Sequence, residues 1–231
     1  FWWAMASEVS SMCWVPMESN PTMMNEFGEK IGLDVSRFAF QDCWGLDEEL
    51  LGFVNQPCLA VILLFPFPLT EEDDTTTNTN PEPENVIWIP QLIGNACGTM
   101  AVMHALCNTV DNVTTSDSCL LQQFVDKISK LNSKERGEYL TTVNSIQEAH
   151  SDVIDSGSTK APEAGEQVNH HFACFVLKNG KVYELDGRKA GAIPHKDSSP
   201  ERFIYDVASI IKSDFISHSP DANGFSMITL S

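Results

Sequence analysis

The stretch HFACFVLKNGKVYELD, residues 171–186, decides the fold, because its spacing defines a β-hairpin with a chemical pair at its open end. Asn179 and Gly180 form the most favourable two-residue hairpin turn, since both positions accept a positive φ. Counting outward from that turn places Asp186 opposite Ala173. Residues that lie opposite each other in a hairpin share one face of the sheet.

The same count selects one histidine and one carboxylate. His171 is two residues from Ala173, so its side chain points to the face that carries Asp186. The two residues are diagonal neighbours, roughly 7 Å apart at the backbone and within reach of each other's side chains. His170 points to the other face, and Glu184 lies further from His171. The alternative is that two polar strand ends meet there without a function.

A second stretch supplies a nucleophile for this pair. In QLIGNACGT, residues 91–99, we predict that Asn95 caps a helix that continues to about Asn108, with Cys97 in its first turn. A helix N-terminus and an imidazolium partner both favour a thiolate. The sequence therefore predicts a cysteine hydrolase in which Cys97 is the nucleophile, His171 the general acid and base, and Asp186 the group that orients His171.

Such a reaction also needs hydrogen-bond donors for the developing oxyanion. The backbone N–H of Cys97 is one candidate. Gln91, six residues upstream, offers a side-chain amide and is the second candidate. The alternative for Gln91 is an exposed glutamine at the end of a loop.

Composition and charge exclude several classes of function. The chain has 231 residues, 42% of them hydrophobic, which is enough for a sizeable core. No apolar run reaches the length of a membrane span, so we predict no membrane partner. A formal net charge of −18 argues against nucleic acid. It favours a basic partner or serves solubility alone.

The cysteines indicate a reducing compartment. There are seven, with no C-x-x-C pair and no secretory signal, so we expect reduced thiols in the cytoplasm and also in the nucleus. A metal site at His170, His171 and Cys174 is disfavoured, because strand alternation puts Cys174 on the face opposite His171. We expect neither a metal nor a cofactor.

The remaining pattern predicts one catalytic domain over residues 12–231, preceded by a leader or artificial remnant over residues 1–11. Residues 150–167 are poor in apolar side chains and are predicted to be a loop over the active site, with His150 solvated. Helices are predicted at 21–32, 47–53, 95–108, 120–131, 133–148 and 200–213, and strands at 38–40, 59–65, 86–89 and 225–230 besides the hairpin.

These segments resemble the ubiquitin C-terminal hydrolases, the papain-like deubiquitinases. QLIGNACGTMAVMHALCN at 91–108 is similar to the family's nucleophile motif, and HFACFVLKNGKVYELDGR at 171–188 to its histidine–aspartate motif. The segments WVPMESNP at 14–21, GLDEELL at 45–51 and AVILLFP at 60–66 resemble the small, single-domain members.

The resemblance implies a papain-like α/β fold with a central, mainly antiparallel sheet, flanking helices and a knotted backbone. It implies that residues 150–167 are a crossover loop that spans the cleft. The activity expected from it is release of small adducts, peptides or precursors from the C-terminal glycine of ubiquitin by a monomeric enzyme. By resemblance, the surface that contacts ubiquitin includes the strip Trp14, Val15, Pro16, Met17 and Glu18.

Two alternatives stay open at this point. The chain could be a protein that sequesters ubiquitin and turns it over weakly. It could also be a hydrolase that prefers a ubiquitin-like modifier, such as the one used in neddylation.

Overall fold

A six-stranded antiparallel sheet forms the centre of the fold, as the resemblance predicted. The computed structural model describes residues 12–66, 82–114, 116, 118–154, 169–218 and 224–231. Within them the strand order is β1-β6-β2-β3-β4-β5, and every neighbouring pair is antiparallel. The strands are β1 (Phe40–Asp42), β2 (Ala60–Pro66), β3 (His170–Lys178), β4 (Lys181–Leu185), β5 (Ile193–Asp197) and β6 (Ser226–Leu230).

The hairpin of β3 and β4 has the register that the Asn-Gly turn predicts. Lys178 pairs with Lys181, and Cys174 pairs with Leu185. Asn179 has a φ of 51° and Gly180 a φ of 72°, the left-handed conformation that this turn requires. One further step outward sets Asp186 beside Ala173, next to His171.

Helices cover both faces of the sheet. The described residues contain α1 (Pro21–Ile31), α2 (Glu48–Leu51), α3 (Cys97–Val113), α4 (Leu120–Ile128), α5 (Ser133–Leu140), α6 (Asn144–Ile154) and α7 (Phe203–Ile210). A single π-helical turn, Ile211–Phe215, continues α7. None of these helices has the length and apolar character needed to cross a membrane.

Alternation along β2 divides the core into two layers. Ile62 packs into a cluster that includes Phe27 of α1 and Met103 of α3, while Leu63 packs into a second cluster with Phe203 of α7. A strand that is apolar on both faces fits a central position in the sheet. The nucleophile helix α3 therefore lies in the larger of the two layers, against strand β3.

The prediction of a strand at 86–89 is wrong. Side chains of α3, rather than a neighbouring strand, bond to the backbone of this segment. Asn108 donates to the carbonyl of Ile87 at 2.8 Å and accepts from its N–H at 2.9 Å. The N–H of Ile89 donates to Nε2 of His104 at 3.0 Å. The backbone of this segment is thus satisfied without a sheet ladder.

The helix predicted at 133–148 is two helices, α5 and α6. Between them Thr141 and Thr142 turn their hydroxyls back onto carbonyls three residues earlier, at 2.7 Å each, which competes with continuation of the helix. Helix α6 then runs to Ile154, so the predicted crossover loop cannot begin at residue 150. Residues 155–167, the remainder of that loop, lie outside the described residues, as does the predicted leader.

Candidate active site

The nucleophile helix begins at Cys97. Ala96 occupies its N-cap position without a side-chain cap, so the prediction that Asn95 caps the helix is wrong. Asn95 instead lies one residue outside the helix, with a φ of 59°. This left-handed residue, a conformation asparagine tolerates, turns the chain into the helix. The thiol of Cys97 is therefore carried by the first helical turn, where backbone N–H groups are free of intrahelical partners.

Residues 12–18, which we call the N-terminal strap, pack on this turn. The N–H of Trp14 donates to the carbonyl of Gly94, and the N–H of Gly94 donates to that of Met12, both at 2.9 Å. A Cβ added at Gly98 would lie 3.0 Å from Cβ of Met17 and 3.3 Å from the ring of Phe172. Glycine at 98 thus permits the close approach of the strap and of β3 to the nucleophile.

The histidine and aspartate predicted from the hairpin meet in the structure. Nε2 of His171 lies 2.6 Å from Oδ1 of Asp186, and the two side chains are only 2% and 1% exposed. The N–H of Arg188 donates to the same Oδ1 at 2.9 Å, and the indole N–H of Trp88 donates to the Asp186 carbonyl at 2.9 Å. The ring of Phe65 packs edge-on at 5.7 Å from the His171 ring. The imidazole is therefore fixed on several sides.

The electrostatics of the pair favour a charged imidazole. Burial opposes protonation of His171, but hydrogen bonds with Asp186 and with the Cys97 side chain outweigh it and raise the pKa of His171 to about 9. Burial opposes ionisation of Asp186, but the bond to His171, the charge of His171 and the bond from Arg188 together outweigh it and lower the pKa of the carboxyl. With Nε2 on Asp186, the other ring nitrogen, Nδ1, is the one that serves Cys97. The three predicted residues thus form one connected chain of groups.

Gln91 borders the same cleft. Its backbone N–H donates to the carbonyl of Gly187 at 2.8 Å, which ties the segment before the nucleophile to the turn after Asp186. Its side-chain Nε2 donates to the carbonyl of Ile93 at 3.0 Å. The cleft encloses about 360 Å³, and its lining includes Gln91, Asn95, Cys97, His171 and Arg188. Cys97 is 9% exposed, so only a slender group can reach its sulfur.

The predicted ubiquitin strip lies within the strap. Trp14, Pro16 and Met17 are buried, while Val15 and Glu18 retain exposed surface. Of this strip, only the side chains of Val15 and Glu18 are therefore accessible to a partner. Contact of the strip with ubiquitin stays a prediction. Among the described ranges there is no group of three side chains suited to hold a metal ion.

Comparison with known proteins bears directly on this site. A family model described as "Ubiquitin carboxyl-terminal hydrolase, family 1" matches residues 14–216. The chain belongs to this family. This chain is 38% identical over 214 residues to a ubiquitin carboxyl-terminal hydrolase of Aplysia californica, and the match covers 92% of this chain and 99% of that protein. It is 36% identical over 234 residues to ubiquitin carboxyl-terminal hydrolase 3 of Arabidopsis thaliana, covering 99% and 98% of the two chains.

A solved structure shows the same fold. The catalytic domain of UCH37 from Trichinella spiralis, bound to ubiquitin vinyl methyl ester, aligns with a TM-score of 0.72 at 22% identity. The alignment covers 96% of this chain and 97% of that one. The papain-like architecture expected from the sequence is thereby confirmed for this hydrolase.

Sequence reasoning missed two residues that support the site of this hydrolase. His150 was predicted to be solvated, yet its side chain is 2% exposed and bonds to Thr99, so that prediction is wrong. Trp88 was interpreted as part of a strand and instead holds the carbonyl of Asp186. The periodicity of α6 continues through His150 to Val153, and this was the signal that could have placed the histidine in the core.

Proposed function

We propose that the chain is a cysteine deubiquitinase that hydrolyses the bond following the C-terminal glycine of ubiquitin. The observation that carries the proposal is the buried His171–Asp186 pair at 2.6 Å, hydrogen-bonded to the thiol of Cys97 at a helix N-terminus. The names of the curated relatives point to the same substrate. A cysteine, a histidine and a carboxylate in this order of contact constitute an activated thiol nucleophile.

In the first half of the reaction, the Cys97 sulfur attacks the carbonyl carbon of the terminal glycine. A C–S bond forms, and the carbonyl oxygen becomes an oxyanion. The N–H of Cys97 donates to it, together with the second amide hydrogen of Gln91, the first being bound to Ile93. The C–N bond then breaks as His171 gives its Nδ1 proton to the leaving amine, which leaves a thioester on Cys97.

The second half hydrolyses this thioester. His171 is now neutral and accepts a proton from water, whose oxygen attacks the thioester carbonyl. Collapse of the new oxyanion breaks the C–S bond, returns the sulfur as a thiolate beside the imidazolium of His171, and releases the carboxylic acid, which loses its proton to solvent. Throughout, Asp186 accepts from Nε2 of His171, so that Nδ1 keeps facing the sulfur.

The cleft and the charge of the chain suit the end of ubiquitin. A thiol that is 9% exposed in a cleft of about 360 Å³ can be reached by a Gly-Gly segment, which has no side chains to exclude. Ubiquitin's tail carries arginines before these glycines. A net charge of −18 attracts such a tail and raises the rate of encounter.

The preference for small adducts and unfolded peptides is a finer proposal. It rests on the family resemblance of the predicted crossover loop, of which residues 155–167 are outside the described part of the chain. Comparing the release of a small C-terminal amine with cleavage of lysine-linked chains of folded ubiquitin tests it. Efficient chain cleavage would contradict the preference.

We also propose that the enzyme acts as a monomer in the cytoplasm and the nucleus. All seven cysteines are free thiols, as suits a reducing compartment. Light scattering of the purified chain tests the first statement, and microscopy of the tagged chain in cells tests the second. A stable dimer or an exclusively secreted protein would contradict them.

The deciding experiment follows hydrolysis of ubiquitin that carries a fluorogenic amine at its C-terminus, for wild type and Cys97→Ala. Binding of both proteins to free ubiquitin is measured in parallel. We expect turnover only in the wild type and binding in both. Tight binding without turnover in the wild type would favour a ubiquitin-sequestering protein. Faster turnover of the neddylation modifier with the same amine would favour that substrate.

A further inference from the structure

His150 is a buried histidine that the catalytic steps above do not use. It lies in the last turns of α6, and its ring reaches two other segments. Nδ1 is 2.8 Å from Oγ1 of Thr99, in the first turn of α3, and Nε2 is 3.1 Å from the carbonyl oxygen of Val15, in the N-terminal strap. The ring thus bridges the strap and the helix that carries the nucleophile.

The hydrogen-bond partners of His150 define the tautomer and the protonation state of its ring. A carbonyl oxygen can only accept, so Nε2 carries the hydrogen and donates it to Val15. In the neutral ring Nδ1 is then an acceptor, and the hydroxyl of Thr99 donates to it. Burial lowers the pKa of His150 to about 4, against a smaller opposing effect of the bond to Val15. The bridge is therefore neutral and intact at physiological pH.

Stacking with Trp14 completes the bridge. The indole and imidazole rings are 4.5 Å apart between centroids and 29° from parallel. Within the described part of the chain, the buried indole N–H of Trp14 has no hydrogen-bond partner. Packing against its neighbours, His150 among them, rather than a polar contact therefore fixes this ring. The strap in turn contacts the loop before Cys97 through Gly94.

The two buried threonines of α3 direct their hydroxyls differently. Thr109, ten residues further along α3, donates to the carbonyl of Ala105 at 2.8 Å, the common bond to the residue four positions back. Thr99 instead bonds sideways to His150, out of its own helix. This bond ties the first turn of α3 to α6 and, through the ring, to the strap.

We propose that His150, through Thr99, is a positioning residue that holds the first turn of α3, and with it the Cys97 sulfur and N–H, in line with His171. This inference rests on the proposed function and deepens it, since it assigns a further residue to the same reaction. A displacement of about 1 Å at a reacting atom can cost on the order of 100-fold in rate. Small shifts of this turn should therefore appear in kcat rather than in KM.

Thr99→Val tests the bridge, because it removes the hydroxyl at nearly constant volume. Thr109→Val is the matched control, since it removes a buried hydroxyl from the same helix. We expect Thr99→Val to lower kcat on the fluorogenic ubiquitin substrate about tenfold with KM within about twofold. Alkylation of Cys97 by iodoacetamide should slow several-fold in the same variant. Thr109→Val should leave both rates unchanged, and Thr99→Ser should restore what Thr99→Val loses.

His150→Phe is the second variant, because it keeps a ring for Trp14 to stack on and removes both nitrogens. It should match Thr99→Val, and the double variant should be no worse than either single one. Folded Thr99→Val protein with unchanged kcat and unchanged alkylation would overturn the proposal, as would a rise in KM at constant kcat. Alkylation of Cys97 needs no ubiquitin. A wild-type protein that is alkylated normally but does not turn over ubiquitin would therefore contradict the proposed function and leave the role of His150 open to the alkylation test.

Discussion

Replacing Asp186 with asparagine isolates the charge of the buried pair. Within the described residues two hydrogen bonds reach the carboxylate, from Nε2 of His171 at 2.6 Å and from the N–H of Arg188 at 2.9 Å, and both end at Oδ1. An asparagine can keep its oxygen at that position and put its amide nitrogen in place of Oδ2. Asp186→Asn should therefore preserve the shape of the site while it removes the negative charge beside His171.

The expected effect follows from the protonation of His171. With Asp186 charged, the pKa of His171 is raised from 6.5 to about 9. Without that charge the pKa of His171 should fall, because burial is then opposed only by a neutral hydrogen bond and by Cys97. At pH 7.5 the fraction of imidazolium, which is nearly all in the wild type, is then smaller. Since the imidazolium both stabilises the thiolate and protonates the leaving amine, kcat/KM should fall about 10- to 100-fold.

Two measurements check this reasoning. An NMR titration of the His171 ring should show its midpoint move to lower pH in Asp186→Asn, and the pH profile of kcat/KM should fall throughout the neutral range. Glu184, on the strand β4 that precedes Asp186, provides the control. Its carboxylate contacts His195 at 2.9 Å, away from the cleft, so Glu184→Gln should not move the His171 midpoint. An unchanged midpoint in Asp186→Asn, or kcat/KM within twofold of wild type, would refute the account of the pair.

Three further predictions follow from the same contacts. Gln91→Ala should lower kcat about 100-fold with little change in KM, measured under single turnover, because one oxyanion donor is lost; a drop below threefold would remove Gln91 from that role. Trp88→Phe should lower the free energy of unfolding by about 1 kcal/mol in urea titrations, since the carbonyl of Asp186 loses its indole donor, whereas the exposed Trp44→Phe should change nothing. Because the folded pKa of His171 lies above its unfolded value, the stabilisation it contributes, about 3 kcal/mol, is full below pH 6.5 and lost as the pH rises through about 9. Urea titrations of wild type should show this decline and those of Asp186→Asn should not.

The hairpin shows what the sequence can predict about such a site. A two-residue turn leaves no freedom in register, so the meeting of His171 and Asp186 followed from counting alone. Likewise, the apolar run at 59–65 predicted a strand, which the structure shows as β2. These features depend on neighbours that are close in sequence or on a strict period of two.

The features that sequence reasoning missed depend on distant partners. The segment at 86–89 has the composition of a strand, but it lies beside polar side chains of α3, which satisfy its backbone. His150 looked solvated because the chain around it is polar. The helix that contains it nevertheless turns this one residue toward Thr99 and Val15, which are 51 and 135 positions away. Local composition holds no information on either neighbour.

The most direct test of the central claim is a covalent trap. Ubiquitin with an electrophilic vinyl methyl ester at its C-terminus is incubated with the wild type and with Cys97→Ser, and the products are analysed by intact mass and peptide mapping. The account predicts one ubiquitin per chain in the wild type, attached to Cys97 and to none of the other six cysteines, and no adduct in the variant. An adduct on another cysteine, or none in folded wild type, would contradict it.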